Sequence, residues 1–323
     1  MHPTVAALLL NSILIVPLCA HAWDSEGHMA VAYVAYQQLT PTTRTRVKAL
    51  LALNPYATDT TGDPTKWPAL LAKGPKSADP DLLTFMLAAT WPDEIRSDAN
   101  YHDDGPAGGD RPPTDGTADR NTGYDDFARH KYWHFVDTPF SPDGTALPAI
   151  PTPNAQTEVV IFRGVLKSSQ PDALKSYDLA WLLHLVGDLH QPLHCATRVT
   201  KKTPSGDNGG NGVTVSCTKC PSKLHAYWDD LLGTSKALGS TIKAAKVLPA
   251  ADAAKGTDLA EAHWVDDSFA DAKSVVYDKP PIGAGTGPFA LTTTYQGAAK
   301  KLGKERIALA GTRLANILNA DLK

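Results

Sequence analysis

The 323-residue chain carries Lys+Arg 31 against Asp+Glu 34, a formal net charge of -3, which excludes a global basic field that gathers polyanions from a distance. Nucleic-acid binding, if present, has to be local. At 42% hydrophobic and 20% charged it has the composition of a globular chain with a large core, not that of a disordered or repeat protein.

In chain order, an apolar run over 5–18 is followed by Ala20-His21-Ala22, the small-x-small pattern of a signal peptidase site, and the run is too short to cross a bilayer as a helix. A signal peptide over 1–22 is therefore expected, with Trp23 first after cleavage and a secreted or periplasmic, bacterial protein as the product. Apolar positions at helical spacing predict helices over 29–39, 44–53, 82–90, 157–166, 176–190, 226–232 and 298–318. In the last, Leu302, Ile307, Leu314 and Leu318 share a stripe. Long loops rich in Asp, Gly, Pro or Lys fill 97–123, 141–153 and 201–222, where only 212–217 reads as a strand. The expectation is one all-α domain over 23–323. Removing the leader takes Cys19 away and leaves Cys195, Cys217 and Cys220. Cys217-x-x-Cys220 reads as a local disulfide, since a zinc ribbon needs a second Cys pair, while pairing of Cys195 with one of them stays open.

The acids are lopsided, with 29 Asp to 5 Glu, and Asp favours caps, loops and hard-cation ligation over helix pairing. That excess points to metal. His184/Asp188 and His225/Asp229 are H-x-x-x-D pairs that put an imidazole and a carboxylate on one helix face, as a zinc site requires. With so many Asp, one such pair arises by chance, and His263/Asp267, in a segment without other ligand types, is read as a decoy with a surface hydrogen bond. The run from Leu183 to His194 places His184 and Asp188 in an otherwise apolar helix, where burying them without partners is costly. Pro192 ends that helix and turns His194 off its axis, so His194 can serve a different metal. His190 is either a ligand or a hydrogen-bond partner of one.

Trp23-Asp24-x-x-Gly27-His28, Trp91-Pro92-Asp93, Trp133-His134-Phe135-x-Asp137, Gly187-Asp188-x-His190-Gln191-Pro192-Leu193-His194, Asp207-Asn208-x-Gly210-Asn211, His225-x-x-Trp228-Asp229 and Ala310-Gly311-x-Arg313-Leu314-Ala315 resemble, in order, the motifs of the S1/P1 family of zinc-dependent, single-strand-specific nucleases. The resemblance implies a compact, mainly helical domain with long loops and a short β-hairpin, shared with zinc-dependent phospholipases C. It implies three zinc ions: one on Asp93, His134, His184 and the bridging Asp188; one on His194, His225 and Asp229; one on the α-amine and carbonyl of Trp23 with His28 and Asp188. Arg96 and Asp137 are then expected at the scissile phosphate, so that the catalytic set is Asp93, Arg96, Asp137 and Asp188. Phe135 is expected to stack a base and Asn211 to bind substrate. The implied activity is endonucleolytic cleavage of single-stranded DNA and RNA to 5′-mononucleotides with 3′-nucleotidase action. A monomer is expected, with no stable protein partner and no membrane contact.

Each residue has a blander reading. Asp93 could complete a capping box with Thr90, Arg96 could be a solvated helix charge, Phe135 a core aromatic and Trp23 a frayed terminal side chain. A phospholipase C on the same metal framework is the alternative function, and it needs an apolar rim in place of a base-stacking pocket. A non-catalytic metal-binding protein leaves Arg96, Asp137 and Asn211 without a purpose.

Overall fold

The computed structural model describes residues 23–278 and 280–322; the expected leader, with Cys19, lies outside the described residues. The central element is the helix Asp172–Asp188, in which every residue from Ser176 to Asp188 is buried. A helix apolar on all sides has to be wrapped on all sides. Ala155–Lys167, Pro41–Leu51, Thr293–Asp321 and Ser25–Gln38 provide that wrapping. Asn154 starts the first of these with a reciprocal capping box to Thr157, and Thr40 caps the second, with Pro41 at its first position. Ser25–Gln38 lies along the 29-residue C-terminal helix. Their approach is close enough that a Cβ on Gly311 would sit 2.5 Å from Val34 Cβ and 2.8 Å from the Val31 carbonyl oxygen, so only glycine fits there.

The chain is mainly helical, as expected, and all seven predicted helices occur with ends shifted by a few residues. Trp67–Ala72, Trp91–Glu94, Leu238–Ala245 and Glu261–Asp271, the last continuing into a π-helical turn over Ala272–Tyr277, were not predicted. Most are short, and in Glu261–Asp271 Trp264, Val265 and Ser268 are the buried residues. The expected strand over 212–217 shrinks to Val215–Ser216, paired in parallel with Phe289–Ala290; Pro139–Phe140 pairs likewise with Thr197–Arg198. The hairpin element reduces to an antiparallel bridge between Thr214 and Lys223 that encloses the Cys217–Cys220 disulfide. Cys195 is a buried free thiol. Among the described residues no helix is long and apolar enough to cross a membrane.

One buried acid on the central helix makes a separable prediction. Asp178 is fully buried and takes both of its hydrogen bonds from Asn121 Nδ2, at 2.8 and 3.0 Å. Burial pushes its carboxyl up to about 8, against the opposing Asn121 bond. An acid whose folded pKa lies above its unfolded value holds a proton that the unfolded chain has released, so its stabilising protonation is present below about pH 4 and is lost as pH rises to about 8. Asp178→Asn is expected to flatten this fall and raise the melting temperature at pH 8 by several degrees, more than at pH 4. Equal shifts at both pH values would show that the side chain does not titrate in this window.

Candidate metal centre

Local sequence places each candidate ligand. Pro92 sets the first turn of Trp91–Glu94, where the Thr90 hydroxyl lies 2.8 Å from Leu87 O and 2.9 Å from Glu94 Oε1 and its side chain does not cap the helix. His134 ends a 3₁₀ turn, Lys131–His134, after which Phe135 is extended. His184 and Asp188 are one turn apart on the central helix, as are His225 and Asp229 on Leu224–Asp229. His194 lies in the 3₁₀ turn that Pro192 opens. His28 sits early in Ser25–Gln38, above Gly187, where a Cβ would come within 2.8 Å of its Nδ1.

These segments bring the side chains into three buried groups: Asp93, His134 and His184; His28, His184 and Asp188; His194, His225 and Asp229. Within each, the ligand-type atoms lie within 4.8 Å of one another. In the first two groups the key separations are 3.0 Å between His134 Nδ1 and His184 Nε2, 3.2 and 3.3 Å from these nitrogens to Asp188 Oδ2, and 3.4 Å from His28 Nε2 to Asp188 Oδ1. Asp93 Oδ1 is 3.9 Å from both His134 and His184. In the third group His194 Nε2 and His225 Nε2 are 3.2 Å apart, with Asp229 Oδ2 at 3.6 Å from the latter. Ligand atoms of a tetrahedral zinc with 2.0–2.1 Å bonds stand about 3.3 Å apart.

The protonation pattern fits a cation as well. His184 Nδ1 donates to Ala89 O at 2.8 Å, His194 Nδ1 to His134 O at 2.6 Å and His225 Nδ1 to Gly209 O at 2.7 Å. A carbonyl can only accept, so each Nδ1 carries the proton and each Nε2 presents a lone pair. Two such lone pairs face each other between His194 and His225. Neither oxygen of the fully buried Asp188 accepts a hydrogen bond among the described residues. Burial holds His134 well below the usual imidazole range, and pushes Asp188 and Asp229 well above the usual carboxylate range; His194 is lowered to about 3 by burial and by His225. Two buried carboxylates, a third that is nearly so, and converging neutral imidazoles form a donor set suited to cations.

The other expected residues are held as follows. Arg96 is nearly buried and donates from Nη1 to Asp93 Oδ1 at 3.3 Å, so it is no solvated charge. Asp137 has a left-handed backbone, φ 56°, and burial pushes its carboxyl up to about 7 against the pull of Arg111. Phe135 is half-buried and lines a shallow cleft with Asp137, Tyr132, Pro151 and Pro153. Asn211 Nδ2 donates to Asn208 O at 2.9 Å in the loop that also supplies Gly209 O. Trp23 is fully buried, its indole nitrogen donating to Gly187 O at 3.0 Å, while Asp24 N donates to Asp229 O at 3.2 Å.

His190 is drawn away from these groups. Its Nδ1 donates to Val186 O at 2.7 Å and its Nε2 accepts from Arg313 Nη1 at 3.0 Å. His263 pairs instead with Asp258, at 2.8 Å on the surface, and Asp267 receives Arg313 and Lys255; this third H-x-x-x-D pair holds no ligand arrangement. Sequence reasoning missed the carbonyls of Ala89 and Gly209 and the amide of Gln191, because none carries a residue-type signal.

The profile of the family described as S1/P1 Nuclease matches residues 23–323. Among similar proteins, Endonuclease 4 of Arabidopsis thaliana is 27% identical over 237 residues, 70% of this chain and 59% of that protein. Endonuclease 2 of Arabidopsis thaliana is 25% identical over 218 residues, 67% of this chain and 58% of that protein. This chain thus spans less than two thirds of the length of either relative. With the match running from Trp23 through all three His/Asp groups to the last residue, the chain belongs to the S1/P1 nuclease family.

Proposed function

We propose that this protein is a zinc-dependent phosphodiesterase, an endonuclease that hydrolyses single-stranded DNA and RNA to 5′-mononucleotides and also removes 3′-phosphates. The observation that carries the reading is the set of three buried His/Asp groups around Asp188, with imidazole lone pairs turned inward. Three zinc ions are assigned: Asp93, His134, His184 and Asp188 hold one, His194, His225 and Asp229 the second, and His28, Asp188 and the amine and carbonyl of Trp23 the third. When bound, zinc supplies Lewis acidity that acidifies water and neutralises charge on a phosphodiester.

The chain's own residues do the rest. Arg96, 3.3 Å from Asp93, would give a forked pair of donors to nonbridging phosphate oxygens, and Asp137 would act at the same phosphate. Phe135 offers its half-buried ring as a base platform and Asn211 a polar edge. Single-strand preference follows if a base has to leave its stack to reach Phe135, a penalty that duplex pays and single strands largely avoid. Secretion or periplasmic export with loss of residues 1–22 accords with the apolar 5–18 run, the Ala20-His21-Ala22 sequence and the Cys217–Cys220 disulfide. It also frees the Trp23 amine to bind metal.

Phe135→Ala is expected to remove about 1 to 3 kcal/mol of stacking, lowering kcat/KM on single strands about tenfold or more while sparing a baseless phosphodiester. Parallel losses on both substrates with a large fall in melting temperature would make Phe135 a packing residue. The activity itself is tested by presenting the processed protein with single-stranded DNA, RNA, duplex DNA, a 3′-nucleotide and a phosphatidylcholine analogue. Turnover of the single strands and the 3′-nucleotide is expected; preferential hydrolysis of the lipid analogue would identify a phospholipase C.

A further inference from the structure

Gln191 is fully buried between the two ends of the metal centre, and no ligand chemistry is expected of its amide. It nevertheless bonds to three of the candidate ligand residues. Its backbone N donates to Asp188 O at 2.9 Å, and its backbone O accepts from His194 N at 3.0 Å. Its side-chain Oε1 accepts from Leu193 N at 2.5 Å, and its Nε2 donates to Asp229 Oδ1 at 2.7 Å. The amide orientation follows from these partners. Leu193 N–H can only donate and so takes the oxygen, which leaves the NH2 for the carboxylate.

We infer that Gln191 is a positioning residue that sets Asp188, His194 and Asp229 in register and makes Asp229 present Oδ2 alone to its group. The inference rests on the zinc reading above. With Oδ1 engaged by Gln191, only Oδ2 remains toward His225 Nε2, at 3.6 Å. A carboxylate anchored through one oxygen loses the freedom to rotate into a two-oxygen grip, and its charge stays directed at the pair of imidazole lone pairs. Asp188 and Asp229 lie on helices far apart in sequence, Asp172–Asp188 and Leu224–Asp229. Gln191 joins them through one peptide and one side chain, so the spacing between metal groups depends on it. Outer hydrogen-bond partners of metal ligands typically govern affinity by 10- to 100-fold.

Gln191→Glu tests this, because it keeps an oxygen for Leu193 N and removes only the donor to Asp229, setting two carboxylates against each other. Gln191→Met removes both side-chain bonds at similar length. Zinc content after dialysis and zinc affinity by chelator competition are measured alongside the melting temperature of the metal-free protein. The expected result is one zinc fewer per chain, or about a 10- to 100-fold weaker affinity for one zinc, with the remaining zinc unchanged and the metal-free protein still folded. Wild-type affinity in either variant that folds would overturn the inference. So would loss of all zinc together with unfolding of the metal-free protein in both variants, since Gln191 would then serve the fold. A wild-type chain that binds no zinc would instead sink the metal reading on which the inference stands.

Discussion

Asp188→Asn is expected to remove at least one zinc ion per chain and to lower kcat on single-stranded DNA about a thousandfold or more. Its two oxygens divide between partners, Oδ2 at 3.2 and 3.3 Å from His134 and His184, Oδ1 at 3.4 Å from His28. An amide offers one weak oxygen donor and turns an N–H toward imidazole lone pairs, so the bridge between groups is lost and with it a negative charge. Several kcal/mol of charge stabilisation depend on a metal held in place, and each 1.36 kcal/mol is about tenfold in rate. The metal-free protein should behave in the opposite way. Asp188 is buried with no hydrogen bond to its oxygens among the described residues, so the neutral amide is expected to raise the metal-free melting temperature. Lower zinc content together with higher metal-free stability separates loss of a ligand from misfolding; unchanged zinc content and turnover would remove Asp188 from the centre.

A processed form with one extra residue before Trp23 is expected to lose one zinc and most activity while keeping its helical content. An amide nitrogen has no lone pair to give, whereas a free α-amine does. The surroundings hold Trp23 tightly: its indole bonds Gly187 O, next to Asp188, and Asp24 N bonds Asp229 O. A Cβ on Gly187 would meet His28 Nδ1 at 2.8 Å and Trp23 Cδ1 at 3.8 Å, so Trp23, His28 and the end of the central helix pack as one unit. The extension therefore alters one ligand without disturbing the fold. Full zinc content and activity in the extended form would show that the amine is not a ligand.

Much of the centre was legible because helix periodicity does the positioning. His184/Asp188 and His225/Asp229 are set one turn apart by the helix alone; the central helix already ends at Asp188, before Pro192, which opens the 3₁₀ turn that carries His194. His190 differs from His184 only in phase: six residues on, it lies on another side, where Arg313 takes its Nε2. The tautomers were not legible, since Ala89 and Gly209 supply carbonyls from segments remote in sequence. Nor does the Asp excess point to metal alone. Asp103 pairs with Arg129 and Lys131, and Asp104 and Asp126 both clamp His130, so many loop acids hold basic side chains. The short helices escaped because their apolar stripes are brief, as in Trp67–Ala72, where Trp67 is the buried residue.

Zinc counted by elemental analysis in the processed wild-type protein, before and after stripping with a chelator, is the most direct test of a trinuclear nuclease. Five His, three Asp and the Trp23 terminus exceed what one or two closed sites use. Three zinc ions per chain, with single-strand hydrolysis lost on stripping and restored by added zinc, is the expected result. One zinc per chain, or full hydrolysis by the stripped protein, would contradict it.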